Sequence, residues 1–261
     1  MSEGKRSVRV AAVQMSVVED VATNRMTILE TMARCRDMGA RVCVYPETAL
    51  TSYSPYVGHG REAEEWPAIL AALDDIADGA RRLGLWVCVG TEAWDRGVRY
   101  NRLYLYGPDG VSAAHYDKMH LMVPDTVYYA PGSRCPLVSV EGIRMGMQIC
   151  YDARFPEGYR ALLHNGCEVV LQGFFGAGGP AWKVPVLGAH LVSRAAESGC
   201  FVVAANVAGP EQIVHSQIVD PLGIVLATAR ENKEDIIVAD LGMHRVEASE
   251  IRRDYLATIE G

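Results

Sequence analysis

Apolar positions along this chain follow two rhythms, one of period two and one near 3.6, and the changeovers between them mark the elements. Val8–Gln14 reads as a strand, after which Val21, Ile28, Met32 and Cys35 recur at helical spacing, with Gly39 placed to stop the helix. Arg41–Tyr45 is a short apolar strand ending at Pro46-Glu47, and residues 48–61 are a loop rich in Tyr, Ser, Pro and Gly. Ile69, Leu73, Ile76, Ala80 and Leu83 then share one helical face ahead of Gly84, and Leu85–Thr91 is the next strand. From there hairpins enter. Tyr100–Tyr106 and Val111–Tyr116 flank Gly107-Pro108-Asp109-Gly110, and Leu137–Val140 and Ile143–Ile149 flank Glu141-Gly142. A helix over 156–165 leads to strand Glu168–Gln172, and one over about 185–198 leads to strand Phe201–Asn206. Ile213–Val219 and Ile224–Thr228 flank Asp220-Pro221-Leu222-Gly223, and Ile236–Asp240 is a last strand before a polar tail.

Helix-linked strands interleaved with hairpins predict mixed sheets rather than one parallel sheet. About a dozen strands exceed a comfortable single open sheet, so two packed sheets with outer helices are expected. No linker, repeat or low-complexity tract interrupts the 261 residues, and the chain reads as a single domain over 1–261. A net charge of −7 argues against non-specific nucleic-acid binding and a polybasic membrane surface. Seven cysteines, widely spread and without a C-x-x-C pair, suggest neither a disulfide framework nor a zinc site. Met1–Arg6 leads straight into a strand-like run with no secretory apolar stretch, and no segment approaches the ~20 apolar residues of a membrane span. A reducing cytoplasm is the expected compartment.

Three reactive residue types stand at matching places. Glu47 follows the strand 41–45, Lys118 follows 111–116, and Cys150 closes the apolar run 143–149 where the chain turns toward a helix. In α/β sheets ligands gather at the carboxyl ends of strands, so these three distant residues can converge. Free backbone N–H groups at a strand-to-helix junction lower a thiolate's pKa and bind an oxyanion. Taken singly, each residue has a bland reading: a packed thiol, a solvated glutamate, a surface lysine.

Tyr45-Pro46-Glu47, Lys118-Met119-His120-Leu121 and Cys150-Tyr151-Asp152-Ala153-Arg154-Phe155-Pro156-Glu157 together resemble the three signatures of the nitrilase superfamily of carbon–nitrogen hydrolases. The likeness starts at Val10–Gln14, continues through Arg194–Ser198 and Val203–Asn206, and ends around His215-Ser216 and Asp220–Gly223. It implies a four-layer αββα sandwich of two mixed β-sheets with outer helices, commonly assembled as a homodimer or higher oligomer. It also implies a catalytic triad of Glu47, Lys118 and Cys150. In chemical terms an amide carbonyl is a poor electrophile and a neutral thiol a poor nucleophile, so both need activation. Glu47 suits the general base, Lys118 an ammonium beside the tetrahedral oxyanion, Cys150 the nucleophile, and the Tyr151 N–H a second oxyanion donor. The expected course is acylation of Cys150 with loss of ammonia or an amine, then hydrolysis of the thioester, with no metal or organic cofactor.

One position departs from the pattern. Seven residues ahead of Gly132, where many members carry a second glutamate, this chain has Asp125. Its carboxylate is one methylene shorter, and it either still orients Lys118 or substrate or serves as a turn residue. Tyr-Asp after the cysteine, with Arg154-Phe155, resembles the branch containing omega-amidases, rather than the Trp-Glu of nitrilases or the Asn-Asp of N-carbamoyl amino acid hydrolases. The expected substrate is therefore a small linear amide, with carbamoyl compounds or nitriles as alternatives. A non-catalytic scaffold is the alternative of another class. Arg154 is a candidate for a substrate carboxylate or else pairs with Glu157 or Asp152; Tyr53 and Phe174 are candidate pocket walls, with Tyr56, Phe175 and Trp182 in similar places. Gly176–Ala181 matches a dinucleotide fingerprint but carries Pro180, and reads as a glycine loop beside the site. His115, Asp117 and His120 fit no metal-ligand spacing, and no G-x-S-x-G is present.

Overall fold

The computed structural model describes residues 6–259. In chain order the strands are β1 (Ser7–Gln14), β2 (Val42–Val44), β3 (Trp86–Asp95), β4 (Val98–Tyr106), β5 (Ser112–Asp117) and β6 (Leu137–Val140). They continue with β7 (Ile143–Ile149), β8 (Val169–Gly173), β9 (Phe201–Ala205), β10 (Gln217–Val219), β11 (Val225–Thr228) and β12 (Asp235–Gly242). The helices are α1 (Val21–Asp37), α2 (Ser54–Val57), α3 (Trp66–Leu83), α4 (Pro156–His164), α5 (Lys183–Ser198), α6 (His244–Glu247) and α7 (Glu250–Ile259).

Two six-stranded sheets result, ordered β12-β1-β2-β3-β4-β5 and β11-β10-β9-β8-β7-β6. Each is built on one plan: three parallel strands in the middle (β1, β2, β3 and β7, β8, β9) and antiparallel strands outside them. Alternation then decides the layers. Val8, Val10 and Ala12 of β1 face the other sheet, where Met147, Ile149, Leu171 and Val203 meet them. Ala11 and Val13 face outward under Ile28 and Met32 of α1, and Val87 and Val89 under Leu73 and Ile76 of α3. On the far side Val170 and Val202 are covered by Tyr159 and Leu162 of α4 and by Leu191 and Ala195 of α5. The arrangement is the αββα sandwich expected from the sequence, with both faces of each central strand buried.

Three expectations change. The loop 48–61 contains the single turn α2, opened by Pro55 near its start. The strand read as Leu85–Thr91 runs on to Asp95 and folds directly back as β4 through Arg96-Gly97, both at positive φ (52° and 82°). The polar tail is helical, as α6 and α7. α6 buries Val246 in the core between the sheets, and α7 is held by polar and aromatic contacts: Arg252 donates to the Cys167 carbonyl at 2.7 Å, and the Tyr255 ring meets His164 edge-on at 5.6 Å.

Candidate active site

The turns beyond the parallel strands β2 and β7 carry Glu47 and Cys150, and Lys118 follows the outer strand β5. β7 ends at Ile149, and Cys150 follows with φ of 43°, a left-handed conformation that a non-glycine residue adopts only under constraint. The constraint is local: the Asp152 carboxylate accepts the Ile149 N–H at 3.1 Å, drawing Cys150–Arg154 into a 3-10 turn. The thiol is thereby lifted off the strand end, where it is half-buried.

Glu47 sits in the turn after β2 and is wholly buried. Two glycines, one from each sheet, let that turn come close. A Cβ on Gly90 would lie 2.2 Å from the Pro46 carbonyl oxygen, and one on Gly173 would lie 2.8 Å from the Glu47 nitrogen. Glu47 Oε1 accepts from Lys118 Nζ at 2.8 Å and from Asn101 Nδ2 at 2.6 Å, and Oε2 accepts the Phe175 N–H at 2.8 Å. Lys118, also wholly buried, is pinned by its own backbone: its N–H donates to the Asn101 carbonyl and its carbonyl accepts from Gly132, each at 2.9 Å. The ammonium is 2.8 Å from Asp125 Oδ2 as well. Asp125 lies on a 3-10 turn over Val123–Val127, accepts the Met122 N–H at 2.9 Å, and takes the Tyr53 hydroxyl on its other oxygen. The shorter acid thus reaches Lys118 directly.

Burial alone would lower the Lys118 pKa, but the Glu47 and Asp125 carboxylates outweigh it and hold the group above the ordinary lysine range, as an ammonium. Cys150 behaves contrary to the expectation of a lowered pKa. Burial, then the adjacent Glu47 carboxylate, push its pKa well up, and Lys118 opposes them only in part.

Beyond the thiol opens a cavity of about 340 Å³, lined by Tyr53, Tyr151, Arg154, Phe175, Trp182 and Lys183 among others. Phe174, expected in the pocket wall, is a correction: it is fully buried among α5 and the outer face of β8, and its neighbour Phe175 faces the site. The pairing alternative for Arg154 is also not what forms. Its guanidinium lies 5.8 Å from the ring centroids of both Tyr151 and Trp182. Among the described residues neither Arg154 nor Lys183 has an acidic side chain within salt-bridge distance. The glycine loop contributes Gly176, Ala177 and Gly178 to the wall. Asn101 and Lys183 were not singled out by the sequence. Asn101 reaches Glu47 only through strand register, and Lys183 only through the start of α5. Among the described residues no group of three or more His, Cys, Asp or Glu is disposed to hold a metal ion, and no helix is long and apolar enough to cross a membrane.

Comparison with known proteins is consistent with this geometry. The family described as Carbon-nitrogen hydrolase matches residues 9–250. An (R)-stereoselective amidase of Pseudomonas sp. is 31% identical over 243 residues, covering 90% of this chain and 84% of the relative. A 2-oxoglutaramate amidase of Bacillus subtilis is 30% identical, covering 82% of each. Among solved structures, a variant of the amidase from Nesterenkonia sp. AN1 superposes with a TM-score of 0.80 at 24% identity, covering 97% of this chain and 95% of that one. That protein carries the acetamide moiety of fluoroacetamide on its active-site cysteine.

Proposed function

Because the chain belongs to the carbon–nitrogen hydrolase family, as an enzyme of amidase type, we propose that it hydrolyses small linear amides to a carboxylic acid and ammonia through a thioester on Cys150. The observation that carries the reading is the buried Glu47–Lys118–Asp125 cluster, its ammonium 2.8 Å from each acid, behind a half-buried thiol at the floor of a cavity.

Glu47 takes the Cys150 proton as sulfur adds to the amide carbon. The resulting oxyanion is met by the Lys118 ammonium and the Tyr151 N–H, donors that need no reorganisation. Collapse of the adduct expels ammonia, the proton held by Glu47 going to the leaving nitrogen. Glu47 then takes a proton from the water that attacks the thioester; the C–S bond breaks, the proton passes from Glu47 to the leaving sulfur, and the acid departs from a restored Cys150 thiol. Asn101 and the Phe175 N–H keep the carboxylate aimed through both halves. Asp125 is the second carboxylate on the ammonium, at 2.8 Å, and Tyr53, whose own pKa burial pushes far up, stays a neutral donor to Asp125.

The acyl group that best suits the cavity carries a carboxylate, since Arg154 and Lys183 face it without acidic partners among the described residues. Ammonia release from a panel of plain amides, dicarboxylic monoamides, nitriles and N-carbamoyl amino acids tests both levels. Turnover of amides, greatest for monoamides and lost in Cys150→Ala, is the expected result. Turnover of nitriles or carbamoyl compounds alone would move the enzyme to another branch. Silence across the panel, with Cys150 no more reactive than the other cysteines, would favour a scaffold. The compartment and assembly belong to the same reading. Seven free cysteines suit a reducing cytoplasm, and a homodimer, the assembly that the resemblance implies, is checked by sedimentation.

A further inference from the structure

Asp152 is fully buried two residues beyond the nucleophile, and its carboxylate is occupied on both sides of the sandwich. On the Cys150 side it accepts the Ile149 N–H. On the Lys118 side Oδ2 accepts the Tyr116 hydroxyl, and Oδ1 meets both the backbone N–H and the ring Nδ1 of His120, each of these three contacts at 2.8 Å. His120 stands two residues beyond Lys118, and its ring stacks on Phe155 at 4.0 Å with the planes 5° apart. Phe155 in turn returns its N–H to the Asp152 carbonyl at 3.0 Å. The segments bearing the ammonium and the thiol come from different sheets, and this carboxylate joins them directly.

We infer that His120 and Asp152 form a positioning pair that sets the Lys118 segment in register with the Cys150 elbow. The pair touches neither substrate nor the reacting atoms; it acts through the two backbones it joins. The inference rests on Cys150 being the nucleophile of the proposed function.

Two physical consequences follow. A buried carboxylate needs its charge matched and its lone pairs filled, and the imidazolium does more of that than a neutral ring. Asp152, by its hydrogen bond first and its charge next, with Glu157 of α4 adding to it, raises the His120 pKa above the usual histidine value against a lowering by burial. The pair is therefore complete below that raised pKa and weakens as pH rises through it.

The test is the rate of Cys150 alkylation by iodoacetamide on the full chain, read by peptide mass spectrometry between about pH 5.5 and about pH 9. Loss of registry in His120→Leu is expected to slow alkylation about 10- to 100-fold, and His120→Asn, whose amide N–H replaces Nδ1–H, to return it to within about threefold of wild type. The ratio of the wild-type rate to that of the Asn variant should fall as pH rises, since only wild type titrates there. Equal rates for wild type and the Leu variant, an Asn variant no better than Leu, or a ratio flat with pH would each overturn the pair. If the Leu variant does not fold, the pH course of the Asn ratio decides alone. Wild-type Cys150 reacting no faster than the other six cysteines would end the nucleophile reading and this inference with it. A fast wild type with unaffected variants would end the pair only.

Discussion

Lys118 is the residue on which the site's energetics turn. A fully buried ammonium between two fully buried carboxylates is matched on both sides, and removing it leaves Glu47 and Asp125 facing each other without a cation. Lys118→Met is therefore expected to cost roughly 3–5 kcal/mol of stability, as stranded buried charges do, measured by urea unfolding at neutral pH. A loss under ~1 kcal/mol would mean that the cluster is not buried as described. Glu47→Gln keeps the shape but takes one of the two carboxylates from Lys118 and turns an accepting oxygen into a donor, so it too should lose stability; if Glu47 is the base of the proposed function, turnover of the folded fraction should fall by about 10²- to 10⁴-fold as well. Asp125 presents the opposite problem. With both its oxygens engaged and no exposure, restoring the longer family residue in Asp125→Glu should overpack the site and cost about 1–3 kcal/mol. An unchanged or raised Tm would show that the turn over Val123–Val127 yields to the extra methylene.

Strand ends explain which parts of the site were legible. Glu47, Lys118 and Cys150 stand just past apolar runs, a position visible in sequence because period-two segments end abruptly there. Phe174 was misplaced for the same physical reason that the strands were easy to see. β8 is buried on both faces, so its composition does not say which parity points inward; Val170 and Phe174 share the outer face, and Val169 and Leu171 the inner. Asn101 was out of reach, since its approach to Glu47 depends on tertiary placement. Gly90 and Gly173 carried no sequence signal beyond being glycines in strands, yet they admit the Glu47 turn from opposite sheets. Alanine at Gly90 must push against backbone, not a flexible side-chain end. Gly90→Ala is expected to lower activity about 100-fold through displacement of Glu47, assayed well below the Tm so that the folded fraction is constant. Full activity would mean that β3 and the turn shift together.

At the scale of the whole molecule, the chain builds one sheet through β5, builds the other from β6 through β11, and then returns to the first. β12 pairs with β1 along its full length, from Ser7 opposite Gly242 to Gln14 opposite Asp235. Gln14 reinforces that closure, donating to the carbonyls of Arg230 and Lys233 at 2.7 and 2.8 Å while its side-chain oxygen accepts the Ser216 N–H at 3.0 Å. The last helix then packs back on the second sheet's layer through Arg252. Neither sheet can leave without uncovering the shared core between them, and the residues of the proposed site straddle that core, Glu47 and Lys118 on the first sheet and Cys150 on the second. We therefore expect one cooperative unit over the whole chain. Far-UV circular dichroism, tryptophan fluorescence and residual activity should give coincident urea transitions. Three of the tryptophans, Trp66, Trp86 and Trp94, lie in or beside the first sheet, and Trp182 lies at the cavity, so the fluorescence change is weighted toward the first half. If that half unfolded separately, fluorescence and activity would be lost before the circular dichroism of the second. Ending the chain before Asp235 provides the complementary measurement. It removes β12 together with α6 and α7, opens the edge of β1, and takes Ile237 and Leu241 out of the core so that their neighbours are uncovered, and such an edge favours aggregation. A soluble, folded product of that truncation would show that the sheets hold together without their closing strand.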